Sequence, residues 1–124
     1  MKLKDDFFTI IEDQSLNKND VEYKIQLKAS HPVYKAHFPN NPITPGVYII
    51  QMAAELASEF LKCELRLKKA DKIRFQNVIN PLENSILNAK FTIHEDDIGS
   101  YKAAVNIFNE NDFFAKLSLT LIAL

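Results

Sequence analysis

His37, Gln51 and Glu55 are the side chains whose types and spacing could do chemistry, and Gly46 stands between them. His37 opens the run His37-Phe38-Pro39-Asn40-Asn41-Pro42-Ile43-Thr44-Pro45-Gly46-Val47. Proline fixes φ and removes a backbone donor, so prolines at a spacing of three make this loop stiff and keep it out of a sheet ladder. A stiff loop that sets one histidine beside a helix start reads as a site rather than a connector. Histidine titrates near neutrality and suits work as a base. The first N–H groups of a helix lack intrahelical partners and carry the positive end of its dipole, so they can stabilise an anionic oxygen. Gly46, without a side chain, lets a ligand approach closely. Gln51 and Glu55 lie four apart, on one face of the helix that follows.

The elements that must position these groups are legible in the periodicity. Apolar residues alternate from Phe7 to Ile11 and from Val21 to Ala29, giving strands with one wet side, joined by a turn at Asn17–Asp20. Thr44 is the expected N-cap and Pro45 the first helical residue. From Val47 to Cys63 apolar residues cover most of the helix circumference, which predicts a buried helix with one polar stripe at Gln51, Glu55, Ser58/Glu59 and Lys62. Leu65 to Ile79 is expected as one long charged strand with Ile73 and Phe75 in the core. Further alternating runs cover Leu87–Ile93, Tyr101–Ile107 and Leu117–Leu121. Short turns at Asn80–Asn84, Asp96–Gly99 and Asn109–Asp112 make neighbouring strands antiparallel. About six amphipathic strands curling around one apolar helix give an α+β fold, with residues 1–124 as a single domain.

Composition narrows the function. The net charge of −1 gives no reason to expect nucleic-acid binding. No apolar run approaches the ~18 residues that span a bilayer. The single cysteine, Cys63, excludes an internal disulfide, and the acidic turn after Met1-Lys2-Leu3-Lys4 is unlike a signal peptide; both fit a cytoplasmic protein.

The motif His37-Phe38-Pro39 … Pro42-Ile43 … Pro45-Gly46-Val47, followed by an apolar helix, resembles the 3-hydroxyacyl-[acyl-carrier-protein] dehydratases of fatty acid synthesis. The run Lys72-Ile73-Arg74-Phe75-Gln76-Asn77-Val78-Ile79-Asn80-Pro81 is similar to that family's strand after the helix. The resemblance covers roughly residues 20 to 124. It implies a hot-dog fold, a curved antiparallel sheet wrapped around one long central helix. It implies a homodimer or higher oligomer with the site at the interface, and a substrate carried on the phosphopantetheine arm of an acyl-carrier protein. No cofactor or metal is implied. His37 takes the role of base toward the C2 proton, and Phe38, Pro45, Gly46 and Val47 line the substrate, with backbone N–H groups near Gly46 on the thioester carbonyl.

The family keeps a glutamate or aspartate fourteen residues after the histidine, where it helps expel the C3 hydroxyl as water. This chain has Gln51 there. An amide can donate hydrogen bonds but cannot give up a proton at neutral pH. The family commonly reads acid-x-x-x-Gln across this turn; here Gln51-Met52-Ala53-Ala54-Glu55 reads as the exchange. Three readings stand. Glu55 takes over as acid; or Gln51 orients the hydroxyl or a water while His37 moves the protons, which admits isomerisation or thioester hydrolysis; or the pocket binds an acyl chain or partner subunit without chemistry.

The remaining candidates have plainer readings. His31, beside Pro32, is structural, and His94 is exposed. No histidine pair has ligand spacing. Cys63 is a small core residue. Glu55, Glu59 and Lys62 also fit the solvated edge of the helix. Arg66, Lys68, Lys69, Lys72 and Arg74 form a solvated strand face, or, with Lys35, a docking surface for an acidic carrier protein.

Overall fold

The computed structural model describes residues 2–36 and 40–124. Its elements are β1 (Phe8–Ser15), β2 (Asp20–Leu27), α1 (Val33–Ala36), α2 (Gly46–Leu61), β3 (Leu65–Ala70), β4 (Arg74–Phe75), β5 (Ile86–Asp97), β6 (Ser100–Phe108) and β7 (Phe113–Ala123). The strands form one seven-stranded sheet in the order β1-β2-β5-β6-β7-β3, with β4 also on β7, and the pairings are antiparallel. Alternation sets the register. Ile25 lies opposite Leu87, Phe91 opposite Val105, and Val105 opposite Leu117, so one sheet face carries the core. Met52, Ala53, Leu56 and Ala57 of α2 are fully buried in the same cluster. Burying side chains of leucine or methionine size contributes about 1.5–3 kcal/mol each, which is what holds the helix to the sheet.

Several boundaries differ from the periodicity. The helix is 16 residues long and ends at Leu61, short of Cys63 and of the long helix the apolar run predicts. Lys62 turns into the left-handed region (φ 57), and its N–H returns to the Ser58 carbonyl, closing the last turn. The single strand expected over Leu65–Ile79 is broken. Its register on β7 slips between Leu67 and Lys69, the chain leaves the ladder after Ala70, and only Arg74–Phe75 rejoins it. The Asp71 N–H bonds the Ser118 carbonyl at the break. Phe75 is therefore 48% exposed instead of a core residue, while Ile79 beyond it is buried. The short helix α1 was not expected. His31 starts it: its Nδ1 accepts the Val33 N–H at 3.1 Å, and its Nε2 faces Asp6 Oδ2 at 3.3 Å. Cys63 is only half-buried, and His94 is exposed. Among the described residues no helix is long and apolar enough to cross a membrane.

Candidate active site

The start of α2 is built from the proline loop. Pro42 is buried. The Thr44 N–H donates to the Ile79 carbonyl at 2.8 Å, which ties the loop to the segment after β4. The buried Thr44 hydroxyl pairs with the Tyr34 hydroxyl at 2.9 Å. Burial pushes the Tyr34 phenol up to about 12, so it stays neutral and able to donate. Thr44 is thus held by Tyr34 and is not the cap. Pro45 is the N-cap residue (φ −63, ψ 141), with no side-chain cap, and its carbonyl accepts the Tyr48 and Ile49 N–H groups. Gly46 is the first helical residue, one position later than the Pro45 start expected from the sequence.

That arrangement leaves the Gly46 and Val47 N–H groups without an intrahelical acceptor at the positive end of the helix dipole. Gly46 borders a cavity of about 300 Å³ that is also lined by Thr44, Ile49, Phe75, Val78 and Ile79. The Phe75 ring lies so close that a Cβ on Gly46 would meet its Cζ at 2.8 Å. Only glycine lets this aromatic wall and the helix backbone come together. An apolar chain ending in a polarisable carbonyl suits such a cavity: the wall takes the chain, and the N–H groups take the oxygen.

Gln51 and Glu55 lie about 7.5 Å further along the helix and beyond, and Gln51 is turned about 140° from Gly46. They line a second groove, about 710 Å³, with Ser58, Lys62, Cys63 and Arg66; it shares no lining residue with the first. The N-terminal segment crosses this stripe. Glu55 accepts the Leu3 N–H on both oxygens (3.0 and 2.8 Å) and the Lys4 N–H on Oε1 at 2.8 Å. Its Oε2 also accepts from Gln51 Nε2 at 2.8 Å. Glu59 pairs with the Lys4 ammonium. This hydrogen bond holds the Glu59 carboxyl below its ordinary range and the Lys4 amine above its own. Two members of the polar stripe, Glu55 and Glu59, are therefore engaged by the N-terminal segment rather than solvated. Nothing in the sequence signals the Glu55 contacts, because backbone N–H groups are the donors and any residue types at 3 and 4 would supply them.

The residues expected to work together divide as follows. Gly46 and Val47 share the helix start with Pro45; Gln51 and Glu55 share a hydrogen bond on another face. His37 and Phe38 lie outside the described residues. Arg66, Lys68, Lys72 and Arg74 are exposed, and Lys69, also exposed, reaches Asp71 at 3.1 Å. Among the described residues no group of three His, Cys, Asp or Glu side chains is gathered to hold a metal.

A seven-stranded antiparallel sheet packed on α2 is the arrangement of a hot-dog fold. In solved structures it resembles the dehydratase heterocomplex ApeI:P from Xenorhabdus doucetiae, with a TM-score of 0.72, 16% identity, and 91% of this chain and 96% of that one covered. It also resembles a hypothetical thioesterase protein with coenzyme A from Streptococcus pneumoniae TIGR4, with a TM-score of 0.65, 12% identity, and 94% and 85% covered. These likenesses establish the fold. The chain belongs to the ApeI-like dehydratase family, whose model, described as ApeI dehydratase, matches residues 13–114.

Curated relatives include two 3-hydroxyacyl-[acyl-carrier-protein] dehydratases FabZ. That of Syntrophomonas wolfei subsp. wolfei is 28% identical over 91 residues, which is 68% of this chain and 63% of the relative. That of Oenococcus oeni is 31% identical over 91 residues, 68% of this chain and 66% of the relative. The matched stretch spans just under two thirds of the length of these relatives.

Proposed function

We propose that this protein removes water from a 3-hydroxyacyl thioester presented on an acyl-carrier protein. The observation that carries the reading is the helix start, where the helix opens without a side-chain cap at Gly46, and Gly46 lines an apolar cavity walled by Phe75. The Gly46 and Val47 N–H groups are the donors of that first turn without an intrahelical acceptor. The thioester carbonyl accepts those N–H groups, and the acyl chain lies along Phe75, Ile49 and Val78. His37 takes the C2 proton while the C1–C2 bond gains the double-bond character of an enolate and charge collects on the carbonyl oxygen. A fixed donor at such an oxygen is typically worth about 3 kcal/mol of barrier. The enolate then collapses, the C2–C3 double bond forms as the C3–O bond breaks, and the departing hydroxyl leaves as water with the proton held by the His37 imidazolium. Gln51 orients that hydroxyl.

The division of the helix into two separate sites supports a homodimeric arrangement in which the helix start of one subunit and Gln51 of another complete one centre. The exposed basic run Arg66, Lys68, Lys69, Lys72 and Arg74 suits docking of an acidic carrier protein, which raises association rates through complementary charge.

The amide at Gln51 also supports a second reading, in which the protein binds acyl thioesters or a complete partner subunit without turning them over. One experiment separates the two. Purified protein is assayed for 2-enoyl thioester formation from 3-hydroxyacyl carrier thioesters of several chain lengths, beside His37→Ala. The dehydratase reading expects turnover that falls by about 10³-fold in the variant, as for loss of a general base. Binding without product at any chain length establishes the second reading.

A further inference from the structure

We propose that Glu55 is a positioning residue that fixes the orientation of the Gln51 amide, and that the backbone of the N-terminal segment in turn fixes Glu55. Each contact that places Glu55 uses it as an acceptor: the Leu3 N–H, the Lys4 N–H and Gln51 Nε2. A carboxylate can only accept, so the nitrogen of the Gln51 amide must be the end turned toward it. The amide oxygen is then the end directed away from Glu55.

The anchor is itself rigid. Leu3 and Phe7 are buried, and the Phe7 ring packs on Tyr34 (5.9 Å), Tyr48 (5.0 Å) and His31 (5.4 Å). The Asp6 and Phe7 N–H groups close a turn on the Leu3 carbonyl, and Lys4 Nζ is paired with Glu59. The hydrogen-bond chain runs from the N-terminal backbone through Glu55 to Gln51, and its direction is fixed at its origin, since backbone N–H groups cannot become acceptors. In the dehydration reading, on which the catalytic consequence rests, Gln51 meets the C3 hydroxyl as an acceptor. It holds the hydroxyl hydrogen and donates no proton. The exchanged order of amide and acid is thus a coupled pair, with the carboxylate used to aim the amide.

The test uses the full chain labelled with ¹⁵N. The Gln51 side-chain amide resonances, assigned by their loss in Gln51→Glu, are compared between wild type and Glu55→Gln, together with exchange of the Leu3 and Lys4 amides. The proposal expects the wild-type Gln51 pair to be widely split by its carboxylate partner. In Glu55→Gln the splitting should shrink, and the Leu3 and Lys4 amides should exchange faster. Turnover should fall by about 10-fold in kcat with KM and the shape of the pH profile kept. Unchanged Gln51 resonances in Glu55→Gln would overturn it. So would a loss of about 10²–10⁴-fold that removes a limb of the pH profile, the signature of a general acid. Should Glu55→Gln fail to fold, Glu55→Asp keeps the charge and withdraws the oxygens by one methylene, and the same resonances report. Wild-type protein with the expected resonances but no turnover would count against the dehydration reading and leave the positioning proposal supported.

Discussion

At the start of α2 the groups that can do chemistry are backbone atoms, whereas about one and a half turns further on they are side chains that hold one another. Gly46 and Val47 present N–H groups whose direction is set by the helix, and no side-chain cap competes for them. Glu55 takes its direction from a segment more than fifty residues upstream, and Gln51 takes its own from Glu55. A site of the first kind survives most substitutions because only the backbone path matters. A site of the second kind depends on which side chain accepts and which donates, so exchanging the two changes both its chemistry and the bonds around it.

That contrast can be broken from either side. Gln51→Ala should lower kcat by about 10²-fold, the usual cost of losing a group that sets a reacting atom to within an ångström. An unchanged rate would remove the helix middle from the reaction. Gly46→Ala is expected to act on the other region and more weakly. Its Cβ would press on the far end of a half-exposed ring that can turn, so stability should change by less than about 1 kcal/mol. The displaced Phe75 ring would fill the cavity, however, and KM should rise about 10-fold. Adding Phe75→Ala should bring KM back down; a KM that stays high would place the effect elsewhere.

Two further substitutions test the supports instead of the reacting groups. Tyr34→Phe leaves the buried Thr44 hydroxyl without its partner and should cost about 1–2 kcal/mol in denaturant unfolding. Lys4→Met removes the pair with Glu59, which is half-exposed and worth under about 1 kcal/mol. Its pH dependence has a definite sign. Glu59 is held below its ordinary value of 4.5, so the pair's contribution is present above that pH and lost as pH falls through the lowered folded value. Lys4 is held above its ordinary 10.5, so the contribution is present below that pH and lost as pH rises through the raised value. The stability difference between wild type and Lys4→Met should therefore be flat across neutral pH and vanish in acid.

Much of this contrast was legible in the sequence, unevenly and for physical reasons. Strict alternation in Val21–Leu27, Leu87–Ile93 and Tyr101–Ile107 encodes the sheet, because a one-residue slip would turn the core face to water. The proline loop and Gly46 announce the helix start through backbone constraints that belong to the residue type itself. The long run Leu65–Ile79 misled because its charged residues mask a break: the register on β7 slips between Leu67 and Lys69 and the chain leaves the ladder after Ala70, which no local preference requires. Phe75 reads as core by composition, yet it serves as a wall against Gly46, a relation between residues 29 apart. The Glu55 clamp was invisible, since its donors are main-chain atoms. The same is true of α1, a single turn started by the His31 ring rather than by a typical capping residue.

The most direct test of the central claim, that an aimed amide has replaced the acid, is the pH dependence of kcat for dehydration of a carrier-bound 3-hydroxyacyl thioester. With Gln51 accepting and His37 moving the proton, kcat should rise through one ionisation in the range where histidine titrates and then stay level as pH increases. A bell-shaped profile whose alkaline limb disappears in Glu55→Gln would contradict the account, because it would make Glu55 the proton donor.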